Sequence, residues 1–251
     1  MFNVRELLEN ELKKRDRVDE ITVDRPDPLL VASKYKDEYI SLICALFAYG
    51  NARQIVKFLS SLDFSLLDSD ETLIKEDNYY RFQSKRDVKE FFVTLNRAKR
   101  VSSLKDIFLT GYTKSKNVMD GVAKCISFLY DLNPYRSQGY EFLIGKVPSK
   151  KITSPYKRWH MFLRWMVRDK RQDFGLWREV DKKDLLIPLD THTFKVSQKL
   201  GLLKRKSYDF KSVLLLTQKL KEFDPNDPVK YDFALYRIGQ EKITLNPNSS
   251  P

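Results

Sequence analysis

Three residue types are scarce in this chain, whose 251 residues include 8 glycines, 2 cysteines and 2 histidines. Two cysteines cannot supply a four-cysteine iron–sulfur cluster. With only two histidines, a zinc centre is disfavoured as well. We therefore expect no metal or organic cofactor. Cys44 and Cys125 fall in apolar helical patterns, which predicts buried thiols in a reducing compartment.

Long apolar runs are missing too, and no stretch has the length of a membrane span. The first residues, Met1 to Glu6, lack the apolar region of a signal peptide. These two absences predict a cytoplasmic protein that makes no contact with a membrane.

Positive charge is in excess, with 46 Lys and Arg residues against 34 Asp and Glu residues and a net charge of +12. Such an excess favours a polyanionic partner, of which nucleic acid is the commonest. The alternative is a basic soluble protein that has no such partner.

Helical periodicity dominates the apolar residues. Ile40, Ile43, Cys44 and Phe47 follow the i, i+3, i+4, i+7 pattern of an amphipathic helix, and several later segments repeat it. Alternating strand patterns are scarce. We predict an all-α protein of about ten helices.

Proline-rich breaks divide the chain, the last of them at 147–151. We predict an N-terminal helical lobe over 1–146, with 225–242 as a segment that can pack back on it. A second lobe would cover 147–245, and 246–251 would form a disordered tail.

A basic helix is predicted to begin at Pro155, with Ser154 as its cap, Lys157 in its first turn and its end near Lys170. Positive neighbours, the positive helix end and partial burial would favour the neutral, nucleophilic form of the Lys157 amine. The alternative is that Lys157, Arg164 and Arg168 form a solvated basic face on a core helix.

A second helix is predicted from Thr191 to Leu200, with Asp190 as its N-cap and Gly201 after its end. A cap holds a carboxylate rigidly, and the N–H donors of the helix keep it ionised. Such a carboxylate can stabilise a sugar cation or accept a proton from a nucleophile. The alternative is a cap with only a structural role.

The sequence L-D-T-H-T-F-K-V at 189–196 resembles the V-D-T-H-x-x-R-V signature of the helix-hairpin-helix DNA glycosylase superfamily. In that superfamily the aspartate is the catalytic carboxylate, and bifunctional members have a nucleophilic lysine upstream. The resemblance implies these roles for Asp190 and Lys157, which are 33 residues apart. Within the superfamily, the chain most resembles a bacterial family near the archaeal 8-oxoguanine DNA glycosylase branch. This resemblance implies a two-lobe helical glycosylase fold.

The chain departs from that pattern at the hairpin, where K-I-T-S-P-Y at 151–156 replaces Leu-Pro-Gly-x-Gly. The usual hairpin offers backbone N–H groups to a DNA phosphate. The resemblance thus implies a degenerate helix-hairpin-helix. The cysteine cluster of the endonuclease III group is missing, as in the archaeal branch.

A base pocket is predicted around the helix that follows Asp227 and Pro228, which we expect to be its cap and its first residue. Asp232 would accept a hydrogen bond from a base edge, and Tyr236 would stack on the base. Phe233 and Pro188 complete the predicted lining. The alternative for Asp232 is a hydrogen bond to a neighbouring helix.

Residues that contact DNA are expected at the turn over 49–54, between two apolar helices, and among scattered basic residues. Related glycosylases enter the duplex with such a turn, which makes Asn51 and Arg53 candidates. An ordinary helix–helix turn is the alternative. Further candidates for phosphate contacts are Lys150, Lys151, Arg158, His192 and Lys195.

The sequence thus predicts a monomeric, nucleoid-associated DNA glycosylase with AP lyase activity, acting in base excision repair on a damaged base in double-stranded DNA. The resemblance favours 8-oxoguanine as that base. One alternative is a monofunctional glycosylase in which Asp190 activates water. Others are a non-enzymatic helical protein that binds nucleic acid and a helical scaffold for protein partners.

Overall fold

A computed structural model describes residues 3–15, 20–22, 24–149, 151–170 and 172–240. In this part of the chain there are twelve α-helices and no β-strand, which confirms the predicted all-α class. The helices are numbered α1 to α12 in chain order: Val4–Arg15, Leu29–Tyr35, Glu38–Leu46, Ala52–Ser60, Lys85–Val101, Leu104–Ser115, Val118–Leu132, Gln138–Ile144, Lys157–Val167, Thr191–Lys199, Phe210–Lys221 and Asp232–Gln240.

Most helices begin at a short polar residue whose side chain accepts hydrogen bonds from the free N–H groups of the first turn. Ser84 and Asp87 form a reciprocal capping box at the start of α5, the longest helix. Single caps start seven further helices: Asp37, Asn51, Ser103, Asn117, Ser137, Asp190 and Asp209. The described residues also form four short 3-10 helices, at Phe64–Leu67, Glu71–Leu73, Lys182–Asp184 and Pro228–Tyr231.

The chain divides into two compact units. Ile21–Lys151 form the central unit, and Met1–Glu20 together with Ile152–Pro251 form the terminal unit. The first twenty residues are thus grouped with the C-terminal part and not with the predicted lobe over 1–146. The reason is packing within the terminal unit, where α1 contacts α12 and the Tyr231 hydroxyl donates to Glu9 Oε1 at 2.6 Å. The predicted tail, 246–251, lies outside the described residues.

In the central unit, α6 and α7 pack closely because glycines face each other's helix. A Cβ atom on Gly111 would lie only 2.3 Å from the backbone oxygen of Asp120. Cys44 and Cys125 are fully buried, as predicted, and burial raises the pKa of both thiols. In the part of the chain that is described, no helix is long and apolar enough to cross a membrane.

In the terminal unit, the predicted catalytic residues Lys157 and Asp190 lie at the starts of α9 and α10. The core of this unit includes Trp165 and Trp177, which are both almost fully buried. α10 and α12 pack against each other so closely that a Cβ atom on Gly239 would lie 3.0 Å from Val196 Cγ2. This packing fixes α12 against the helix that Asp190 caps.

Candidate active site

Lys157 is the first residue of α9, and the chain enters this helix through an unusual turn. Tyr156 precedes it in the left-handed region, at φ 46° and ψ 34°, and its side chain does not cap the helix. Ser154 and Pro155 were predicted as the cap and the first turn, and that prediction is wrong. The Ser154 hydroxyl accepts instead from the Tyr156 N–H at 3.4 Å, which turns the chain before the helix begins.

Asp190 caps α10, as predicted. Its backbone is extended, and its carboxylate accepts a hydrogen bond from the Thr193 N–H at 2.7 Å. The helix runs from Thr191 to Lys199, and Gly201 follows it at φ +71°, which suits glycine. The carboxylate of Asp190 is therefore held at a fixed place at the positive end of a helix, where its charge is favoured.

Asp232, the first residue of α12, is a buried carboxyl on which the charges of both Lys157 and Asp190 act. Burial raises the pKa of the Asp232 carboxyl to about 6. The positive charges of Arg164 and Lys157 act to lower this pKa, and the negative charge of Asp190 acts to raise it. Lys157 and Asp190 therefore both lie within electrostatic range of this one buried carboxyl.

A buried network of charges continues from Asp232 along α9. Arg164 binds Asp232 and also donates from Nε to Asp173 Oδ1 at 3.1 Å. Arg168 binds Asp173 as well, and it binds Asp227 in a bidentate manner, with N–O distances of 2.8 and 3.0 Å. Two guanidinium groups are thus held by three carboxylates. This arrangement satisfies charges that would otherwise be costly to bury.

The network excludes one alternative interpretation for Arg164 and Arg168 and corrects two predictions. Arg164 and Arg168 are only 6% and 8% exposed, so α9 does not present them as a solvated basic face. Asp227 does not cap the helical turn after it, because its carboxylate binds Arg168. α9 also ends at Val167, not near Lys170, and the chain after it turns back so that Asp173 meets both arginines.

A cavity of about 510 Å³ lies beside this network in the terminal unit. Arg164, Arg168, Asp173 and Asp227 form part of its wall, and Phe233 adds an aromatic surface. The volume is in the range of small-molecule pockets. Of the residues predicted to line a base pocket, Phe233 is the one that lines this cavity.

Of the remaining base-pocket candidates, Asp232 and Tyr236 lie in α12 and Pro188 precedes Asp190. The bond from Asp232 to Arg164 matches the alternative interpretation, a contact with a neighbouring helix, and recognition of a base edge stays a prediction. The rings of Phe233 and Tyr236 are 6.3 Å apart, and the Tyr236 hydroxyl accepts from Gln240 Nε2 at 2.6 Å. Pro188 is buried two residues before Asp190.

The residues predicted to contact DNA are divided between the units. Asn51 and Arg53 are exposed in the central unit, where Asn51 Oδ1 caps α4 by accepting from the Arg53 N–H at 3.0 Å. Lys151 is exposed at the end of the same unit. In the terminal unit, His192 and Lys195 are exposed and Arg158 is half-buried. Lys150 lies outside the described residues.

Sequence analysis missed two residues beside the predicted catalytic pair. The Tyr208 hydroxyl donates to the Leu189 backbone oxygen at 2.8 Å, next to Asp190. Burial and the negative charge of Asp190 raise the pKa of Tyr208 to about 12. One turn after Lys157, His160 is buried against Phe210, and burial lowers its pKa to about 3. No local pattern indicates either contact, since both depend on how α11 packs.

Comparison with known proteins gives one match. The model of a family described as "Protein of unknown function (DUF2400)" matches residues 27–241, the greater part of the chain. No curated protein gives a significant match. No solved structure gives one either.

Proposed function

The chain belongs to the DUF2400 family, and we propose that it is a DNA glycosylase with AP lyase activity. Its proposed substrate is double-stranded DNA that contains a damaged base, with 8-oxoguanine the favoured lesion. The proposal joins the resemblance of residues 189–196 to the helix-hairpin-helix glycosylases with the geometry of the terminal unit.

One observation carries the proposal. Lys157 and Asp190 each stand at the start of a helix, 33 residues apart in sequence, and the charges of both act on the carboxyl of Asp232. An amine and a fixed carboxylate in one neighbourhood are the two groups that imine-forming base excision requires. Both side chains are half-buried, which leaves each of them accessible to a substrate.

The proposed reaction begins when the damaged nucleotide is turned out of the duplex. The amine of Lys157 attacks C1′ of the sugar, the C1′–N9 bond breaks, and the base departs with its bonding electron pair and takes up the proton that the attacking nitrogen loses. Asp190 stabilises the positive charge that develops on the sugar. Opening of the sugar ring then yields an imine between Nζ and C1′. Removal of a C2′ proton expels the 3′ phosphate and nicks the strand.

Recognition of the base is proposed for the start of α12. An oxidised purine has an N–H group on its imidazole side, where the normal base has an acceptor. The Asp232 carboxylate, oriented by Arg164, would accept a hydrogen bond from that group. Tyr236, one turn later and half-buried, would supply a flat surface on which the base stacks.

The test is a screen of base release and of borohydride trapping on duplexes that carry different lesions. We expect the wild type to release the base and to form a covalent adduct, and Lys157→Gln to form none. Lys199→Gln is the matched control, because it removes a lysine from the last turn of α10, far along that helix from Asp190. We expect it to behave as the wild type.

The same screen separates the alternatives. Base release without a trapped adduct would mean that Asp190 activates water and that the enzyme is monofunctional. Asp190→Asn should lower base release by about a hundredfold or more, as expected for loss of a catalytic carboxylate. If the wild type binds duplex DNA and releases no base from any lesion, the enzyme proposal fails and a binding protein remains.

A further inference from the structure

A cluster of exposed aromatic rings lies in the central unit. The ring centroids of Phe82 and Phe142 are 4.5 Å apart, and those of Tyr49 and Phe82 are 5.3 Å apart. Phe82 is 53% exposed, and Tyr79, three positions earlier, is 68% exposed. Large exposed aromatic side chains that gather in one place mark a binding surface more often than single exposed ones.

The ring of Phe82 is carried by a tight turn that is well anchored. Tyr80 and Gln83 pair through two backbone hydrogen bonds of 3.2 and 2.9 Å, so Arg81 and Phe82 form the tip of the turn. The Tyr80 hydroxyl donates to the Tyr49 backbone oxygen at 2.8 Å, and Gln83 Nε2 donates to the Gly139 oxygen at 3.0 Å. A tip fixed in this way presents its side chains without a large loss of entropy on binding.

Positive charge accompanies the rings. The Arg81 guanidinium lies 5.9 Å from the centroid of the Tyr49 ring and packs over Gly50, where a Cβ atom would come within 2.5 Å of Arg81 Nη1. Gly50, at φ +103°, therefore makes room for this guanidinium. Lys85 and Arg86 are exposed directly after the turn. A second copy of this chain, with net charge +12, is a poor partner for such a surface.

We propose that Tyr49, Arg81, Phe82 and Phe142 form a platform on which unpaired nucleobases of single-stranded DNA stack. Exposed rings with adjacent cations are the combination that binds single strands without reading their sequence, because every base has a flat face and every nucleotide a phosphate. This binding requires no base removal, so it stands or fails separately from the glycosylase activity.

The test compares two labelled oligonucleotides of equal length and charge by fluorescence anisotropy with the full chain. One is oligothymidine, and the other carries tetrahydrofuran abasic sites throughout, which lack the aldehyde that an amine could attack. We expect the wild type to bind oligothymidine about tenfold more tightly, which corresponds to the stacking of roughly one base. Phe82→Leu should lose most of this preference while its affinity for the abasic strand stays the same.

Tyr35→Leu is the matched control, because Tyr35 is 50% exposed in the same unit and lies outside the platform. It should keep the preference. Phe82→Trp should keep it as well and should report stacking directly, by quenching of its fluorescence with oligothymidine and not with the abasic strand. The three native tryptophans, Trp159, Trp165 and Trp177, are at most 2% exposed and add little to that change.

Equal affinities of the wild type for the two strands would overturn the proposal. So would a Phe82→Leu variant that keeps the full preference. If Phe82→Leu changes self-association in sedimentation and not the preference, the cluster is a contact between copies of the chain and the proposal is again wrong. Base release from lesion duplexes, measured in parallel, shows whether the glycosylase proposal survives on its own.

Discussion

The two ends of α9 both have basic residues, and the surroundings of these residues differ. Lys157 and Arg158 open the helix and are half-buried. Arg164 near its end and Arg168 just after it are almost fully buried, and three aspartates hold them. Four basic residues of one segment thus have two different environments.

The difference shows that residues of the same charge can be almost fully buried among carboxylates at one point of a segment and half-buried at another. A guanidinium bound by two carboxylates has little left to offer a ligand, and it contributes to the folded structure. We therefore expect the second half of α9 to matter most for stability, whereas chemistry at its first turn, through Lys157, stays a proposal.

The largest effect is expected from Arg164→Leu. The change leaves Asp232 without its guanidinium and leaves Asp173 with Arg168 alone, so buried negative charge is left uncompensated. We expect the free energy of unfolding, measured by urea denaturation, to fall by about 3–5 kcal/mol. Arg158→Leu, on the half-buried end of the same helix, should change it by less than about 1 kcal/mol. Similar losses for the two variants would remove the distinction between the two ends.

A smaller, pH-dependent effect is expected from Asp232→Asn. The pKa of Asp232 is about 6 in the folded chain against an ordinary value of 3.8, because burial disfavours the charged form. Between these values the folded state holds more protons than the unfolded state, so its stability falls as the pH rises. The contribution is complete below about pH 3.8 and is lost as the pH rises through about 6.

The measurement is urea denaturation of both proteins from pH 4 to pH 7. The wild type should lose stability relative to Asp232→Asn as the pH rises, by at most about 1.4 kcal/mol per pH unit. A difference that is flat with pH would mean that Asp232 titrates at its ordinary value.

Local features of the fold and the site could be predicted from the sequence. Asp190 caps α10 through a bond to the N–H three residues later, and a contact of that range is visible in sequence. The all-α class follows from helical periodicity for the same reason. The two seven-residue helices, α2 and α8, are too short to give a strong periodic signal, which explains part of the difference between ten expected helices and twelve.

Contacts between distant residues could not be predicted. Arg164 meets Asp232 across 68 residues, and Asp227, a plausible cap by its position before Pro228, binds Arg168 across 59. A buried guanidinium is a stronger partner for a carboxylate than a helix N–H group, so tertiary structure overrides the local preference. The start of α9 could not be predicted either. Tyr156 has a left-handed conformation just before the helix, and no glycine or asparagine in the sequence indicates that conformation.

The smallest effect on stability is expected from substitutions of Asp190. They also test the role proposed for Lys157 in the first turn of α9, because the proposed reaction requires both residues. Asp190→Ala removes the cap of α10 and should lower the free energy of unfolding by about 1 kcal/mol, whereas Asp190→Asn keeps a capping side chain and should change it by less than about 0.5 kcal/mol. Asp209→Asn is the control, because Asp209 caps α11 in the same unit. If the carboxylate serves catalysis, both Asp190 variants lose base release and the control keeps it. Base release that follows the stability of the three variants would instead reduce Asp190 to a cap, and Lys157 would then lack the carboxylate that the proposed reaction requires.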